Sequence, residues 1–452
     1  MKQIPTNLQR VTLLAFGALL LFLPTLSART LTVEEARQIA LQFNRGYLQA
    51  QEAVRIADAR VISARAGALP TVNINGSYNR SFKIPTIFFQ TTDAAGVSST
   101  MAIKTGFDNS YSAGISVRQP LWQGGKVFGA LSIAKDFHKY TIAGQEQAES
   151  QVLYNCDVLF WGAILQRARV DVLQKSYEAA THSLEVVEKQ RSQGMVSEFE
   201  VLRAKVEKSN LEPQMLQAKS DLKLADQRLK SFLGFPLTDE LELLEGTLNA
   251  STDGLPALDQ LTTLALDKRP EMRQANFVRD MSRKAVGVAR ADYWPSFDAV
   301  AGYDWSAQSD RFTLRENSSR SLSAGLMISF PIFQGGQTRG AVTTAVAEHN
   351  QAVLGAKQTE DDIRLDVEQA YDRMLQAKES LETQKNTIAL AEEGVRIANL
   401  RYESGVGTLL EVLSAQAALT QAREILAQAT FAFRTARAGL KLATTIDLDN
   451  LK

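Results

Sequence analysis

Three histidines, one cysteine and a lysine behind two glycines are the residues of this chain best suited to metal, thiol or phosphate chemistry. Their spacing supports none of it. His138, His182 and His349 are scattered, with no cysteine beside them and no carboxylate at ligand spacing. Gly124-Gly125-Lys126 has the look of a phosphate-cradling loop. That loop, however, needs a glycine where Pro120 stands and a Ser or Thr where Val127 stands. No G-x-S-x-G elbow exposes a nucleophilic serine. Cys156 is alone, so it forms no intramolecular disulfide. The sequence predicts a non-enzyme with no cofactor and no metal. Two carboxylates remain of interest, Glu200 and Glu411, each three residues after a hydroxyl side chain, Ser197 and Thr408. S/T-x-x-E is the spacing at which hydroxyl and carboxylate together satisfy the first free N–H groups of a helix.

Those two glutamates occupy corresponding places in an internal duplication. Ala40-Leu41, Ala64-Arg65-Ala66 and Pro70 recur as Ala265-Leu266, Ala289-Arg290-Ala291 and Pro295, all offset by 225. Pro120, Gln123-Gly124-Gly125 and Gly129 recur as Pro331, Gln334-Gly335-Gly336 and Gly340, offset by 211, as do Gly194 and Gly405, and Val201-Leu202 and Val412-Leu413. The change of offset puts a surplus of 14 residues between Pro70 and Pro120, expected as a longer loop. The chain divides on this reading into 29–240 and 241–452, two copies of one unit.

Within each copy the apolar period changes. A helix is expected over 33–68 and its counterpart over 258–292. Strands are expected at about 70–82 and 108–122, and again at about 295–308 and 319–333. Val72, Ile74 and Tyr78 alternate with Asn73, Asn75 and Asn79; Ala299, Ala301, Tyr303 and Trp305 alternate with Asp298, Gly302 and Asp304. Each strand therefore has one apolar and one polar face. Aromatics gather at the strand ends, as in the girdles of a membrane barrel. Alternation alone equally suits a soluble sheet with one wetted face.

Proline-free stretches at 126–193 and 337–404 follow, each roughly 100 Å long as a helix. Val170, Leu173, Tyr177, Ala180, Leu184 and Val187 step by threes and fours, and so do Val367, Ala370, Met374, Ala377 and Leu381. That is coiled-coil seam spacing. Gly194 and Gly405 terminate these helices, and return helices follow at 198–233 and 408–443, the first expected to kink at Pro213. A belt from 234 to 257, marked by Gly234, Pro236, Gly246, Gly254 and Pro256, is expected to be non-helical.

Lys+Arg and Asp+Glu both count 50, so the net charge is zero, and no basic face for nucleic acid is expected. The only apolar run near membrane length is Val11–Leu23, behind Lys2 and Arg10 and ahead of Leu26-Ser27-Ala28. It reads as a signal peptide, residues 1–28, cleaved after Ala28, with no lipid-bearing cysteine behind it.

The repeated tips (Gly194-Met195-Val196-Ser197 and Gly405-Val406-Gly407-Thr408), the Pro-Leu-Trp-Gln-Gly-Gly and Pro-Ile-Phe-Gln-Gly-Gly joints and Arg269-Pro270-Glu271 resemble the TolC-type outer-membrane efflux proteins. The resemblance covers essentially the whole mature sequence. It implies a mainly α fold with a β-barrel portion. Each chain of a homotrimer would give four strands to a twelve-stranded outer-membrane barrel, with the long helices forming a periplasmic α-helical barrel. It implies the outer membrane of a Gram-negative bacterium, contact with its lipid, a periplasmic adaptor (membrane-fusion) protein, and a proton-driven or ABC inner-membrane pump. The cargo on this resemblance is a drug, a small toxic compound or a secreted protein. Glu200 and Glu411, with Tyr402, match pore-gating positions; both glutamates also fit as plain helix caps, and the sequence leaves both readings open. Gln193, Gly194, Met195, Val196 and Ser197, with Ser404, Gly405, Val406, Gly407 and Thr408, match adaptor-docking tips. Ser414 and Gly407 stand where the family often has a tip aspartate and a basic residue, which implies fewer ionic ties. The competing reading is a non-conducting periplasmic scaffold or adaptor, which accounts for the helices but not for the strands.

Overall fold

In the computed structural model, residues 29–92, 96, 98–244 and 256–446 are described. The signal-peptide reading and the Gly246 and Gly254 part of the middle belt lie outside them. The elements in chain order are β1 (Arg29–Leu31), α1 (Val33–Phe43), α2 (Arg45–Ala66), β2 (Thr71–Arg80), β3 (Thr86–Thr92), β4 (Ser98–Lys104), β5 (Asn109–Gln123), α3 (Lys126–Ser192) and α4 (Glu198–Leu233). There follow β6 (Leu241–Leu243), α5 (Leu258–Lys268), α6 (Pro270–Arg290), a 3-10 turn at Ala291–Tyr293, β7 (Ser296–Ser309), β8 (Ser318–Ser329), α7 (Gln337–Glu403) and α8 (Leu409–Thr444).

The chain forms two compact units, and each draws on both sequence copies. One comprises 49–147 and 266–364. Its centre is an antiparallel sheet in the order β2-β5-β7-β8. The register places Ile74 opposite Ile115, Ile115 opposite Tyr303, and Tyr303 opposite Leu322. Because side chains alternate across a strand, this row and most of its neighbours two residues away make an apolar face, which Arg320 opposite Trp305 interrupts on β8. The same register stacks the polar alternates on the other face. Glycines turn the chain from strand into helix: Gly124 and Gly125 have φ of 60° and 87°, and Gly335 and Gly336 repeat them at 60° and 90°. Those values lie in the left-handed region that only glycine enters freely. Lys284 with Asp136, Arg273 with Glu146, and Lys126 with Asp292 at 3.0 Å tie the adjoining helices together.

The other unit comprises, among the described residues, 29–48, 148–244, 256–265 and 365–446. Its core gathers Leu31, Phe160, Leu229 and Leu233, all fully buried. Seam residues Leu173, Ala180, Val187, Val367, Met374 and Leu381 are buried too, as coiled-coil spacing requires. Arg37 grips Asp157 with two bonds of 2.7 Å, a fork geometry in which both carboxylate oxygens are used. β1 and β6 form a short parallel pair that carries no visible period in the sequence.

Several expectations need correction. The helix expected over 33–68 is two helices. Asn44 is extended at φ −67° and ψ 121°, and its Oδ1 accepts the N–H groups of Gly46 at 2.9 Å and Tyr47 at 3.3 Å, so it starts α2 rather than continuing α1. The helix expected over 258–292 breaks at Arg269, which is extended (φ −61°, ψ 131°) because it precedes Pro270. The strand expected to run to 333 stops at Ser329, ahead of Pro331. The surplus in the first copy is a hairpin, β3 paired with β4, rather than a plain loop. Pro213 lies inside α4, where the sequence placed it.

Candidate functional site

Both long helices end in the same hydrogen-bonded turn. Gly194 has φ 74°; its N–H donates to the Arg191 carbonyl at 2.9 Å and the Met195 N–H to the Gln190 carbonyl at 2.9 Å. Gly405 has φ 74° as well; its N–H donates to Tyr402 at 3.0 Å and that of Val406 to Arg401 at 3.0 Å. Together these bonds satisfy the last carbonyls of each helix, which is how a glycine in the left-handed region ends one. Gly407 has a different reason to be glycine. A Cβ there would lie 2.9 Å from the Arg401 backbone. Gln193 and Ser404 close the last turns, and Met195 and Val406 are left exposed at the apices.

The reciprocal capping read from sequence is only partly present. Thr408 Oγ1 accepts the Glu411 N–H at 3.3 Å, whereas Ser197 makes no side-chain cap bond. Neither glutamate side chain returns to its N-cap. Glu411 Oε2 instead accepts from Arg401 Nε at 3.3 Å, across the turn. Glu200 has no ion-pair partner among the described residues. Glu198, beside it, pairs with Arg191 at 3.2 Å.

The two tips pack on each other. Val187, Val201, Ala204, Leu409 and Leu413 form one buried cluster, with Val196 and Tyr402 against it. The Tyr402 hydroxyl donates to Gln190 Oε1 at 2.6 Å, joining the second long helix to the first. Burial, and after it the charge of Glu200, push the Tyr402 phenol above its ordinary value of 10.0, so it stays a donor through the neutral range. Of the three gate candidates, Tyr402 and Glu200 are thus electrostatically coupled, and Glu411 is tied to Arg401. Reasoning from the sequence missed Arg401 and Gln190. They occupy matching positions at the offset of 211, and the swap of Gln for Arg there marks where the two copies diverge.

The second candidate surface is the sheet. Its apolar face is uncovered: Ile74 is 78% exposed, Leu322 81% and Leu326 73%. Edge strands β2 and β8 have no further strand beside them among the described residues. Tyr78 and Tyr111 stack, with Phe312 edge-on to both, at one end of the sheet, while Trp122 and Trp294 stand exposed at the helix joints. On the polar face Arg118 Nη2 donates to Asp298 Oδ2 at 2.8 Å.

A four-stranded sheet with an exposed apolar face is thus combined in one chain with two long helical hairpins. Residues 36–235 and 261–445 match the family described as outer membrane efflux protein, and the chain belongs to that family. It is 25% identical over 308 residues to the fusaric acid resistance protein FusA of Burkholderia cepacia, covering 66% of this chain and 56% of that one. It is 33% identical over 192 residues to the protein CyaE of Bordetella pertussis, covering 42% of this chain and 40% of that one. The chain thus spans about half the length of these two curated relatives. Its fold matches the crystal structure of the Campylobacter jejuni CmeC outer membrane channel with a TM-score of 0.76 at 18% identity, over 92% of this chain and 87% of that one.

Proposed function

We propose that three copies of this chain form the outer-membrane exit duct of a tripartite export system. The observation that carries this reading is the four-stranded sheet. Its apolar face is exposed and, among the described residues, both its edges are unpaired, a state that lipid tolerates only in a closed barrel, because each unpaired backbone group there costs several kcal/mol. Four strands are too few to close, and the smallest membrane barrels use eight. Three copies supply twelve. The two repeats, 29–240 and 241–452, then each give two strands and one helical hairpin, and residues 1–28 direct export and are removed.

The long helices extend the duct into the periplasm, and the tips close it. Glu200, Glu411 and Tyr402 line the closure. Gln193 to Ser197 and Ser404 to Thr408 dock a periplasmic adaptor, which couples the duct to an inner-membrane pump. The cargo is a small toxic compound, as the name of the Burkholderia cepacia relative suggests, or a secreted protein. The duct is passive, with no catalysis of its own.

The docking assignment is tested by Gly405→Arg and Gly194→Arg. Each forces a side chain into left-handed backbone at a cost of about 1–2 kcal/mol, small for an assembly held by a barrel. Export should be lost while the protein still reaches the outer membrane as a trimer. Gly405→Asn, which tolerates that backbone, should keep export. Full export by the arginine variants would remove the docking role.

A further inference from the structure

The polar face of the sheet carries almost no charge. Asparagine, serine and glycine residues dominate it, with single threonine, valine, glutamine and methionine residues, and among the described residues only Arg118, Asp298 and Asp304 are ionic there. Arg118 and Asp298 neutralise one another through their 2.8 Å contact, with Asp298 only 3% exposed. Asp304 is different. It is exposed and makes no ion pair among the described residues. Its register partners are Gly114 on β5 and Ser321 on β8. The carboxylate lies over glycine: a Cβ on Gly114 would stand 2.3 Å from Asp304 Oδ1, and one on Gly302 would stand 3.5 Å from Oδ2. Gly114 thus keeps open the place the charge occupies, and the neighbouring strands offer it no cation.

We propose that Asp304 sets the ion preference of the strand-lined part of the duct. Every copy contributes one unpaired carboxylate to the water-filled face, three in the assembly at one level. Such a ring concentrates small cations and cationic cargo and repels anions, as rings of acidic side chains do in other pores. It acts separately from the glutamates at the helix tips. The inference rests on the trimeric duct proposed above.

The test is the reversal potential of the full-length mature protein in planar lipid bilayers under a potassium chloride gradient. It is run in the parent and in an Arg401→Ala, Tyr402→Phe background whose tips no longer limit the current. Asp304→Asn, which keeps size and shape, should lower the potassium-to-chloride permeability ratio at least about twofold near 0.1 M salt, where screening extends over ~10 Å. The difference should fade near 1 M, where it extends over ~3 Å. Channels whose ratio is unchanged by Asp304→Asn and moves only with Glu411→Gln would overturn the role of Asp304 and leave the duct standing. A parent protein that forms no channels would overturn the duct itself, and this inference with it.

Discussion

Glu411 is held by an arginine, and that changes what its loss should do. Its backbone N–H is capped by Thr408, so Glu411→Gln keeps the cap and removes only the charge and the bond to Arg401. In bilayers the variant should show a larger conductance and a weaker preference for cations; identical currents would confine Glu411 to a structural role. Tyr402→Phe removes the 2.6 Å bond to Gln190 and should likewise raise conductance. The wild-type tie has a defined pH window. Because folding raises the phenol above 10.0, its contribution is fully present below that value and fades only as pH rises past the raised one. Current attributable to Tyr402 should therefore be flat from neutral pH through the ordinary phenol range near 10 and climb only above it, a profile absent in Tyr402→Phe. Cys156 gives a check on the core. Burial first, then the neighbouring Asp157 charge, push its thiol up to about 12. Thiol reagents at neutral pH should label it only after unfolding, and fast labelling of the folded protein would contradict its burial.

The elements show where the two copies stopped being equivalent. Thr408 caps α8 and Ser197 does not cap α4, although the residues spell the same signal. Thr408→Ala should destabilise its helix start by about 1 kcal/mol, whereas Ser197→Ala should cost close to nothing. Hydrogen exchange at the two helix starts distinguishes them, and equal effects would refute the asymmetry. The long helices, their glycine ends and the four principal strands were legible because each rests on a local rule: a period, a left-handed glycine, an alternation. What was not legible depends on partners distant in sequence. Asn44 ends α1 partly because its amide also donates to the Phe232 carbonyl at 3.3 Å, and β1 exists only where β6 meets it. Pro270 was visible and its effect on Arg269 follows from sterics, yet the apolar period running through it suggested one helix. The β3–β4 hairpin was legible only as surplus length, since both its faces are exposed and its pattern has no buried side to reveal it.

At the scale of the whole molecule, duplication and folding divide the chain differently. Each compact unit takes segments from both repeats, so neither repeat is expected to fold alone. The tip site was half legible. Spacing marked Glu200 and Glu411 as caps and the family resemblance added Tyr402, but Arg401 and Gln190 act across turns and between copies, where no periodicity reaches. The sheet states most directly what the molecule lacks. Among the described residues nothing covers its apolar face or pairs its edges, and all of the proposed transport follows from what closes them.

That closure is measured by the mass of the protein extracted in mild detergent from the outer-membrane fraction of cells that produce it, with chemical crosslinking before extraction. The account predicts a species of three chains, crosslinked to the same count, and none in the soluble periplasmic fraction. A monomeric mass with no crosslinked species, or recovery of the protein among soluble periplasmic proteins, would contradict it.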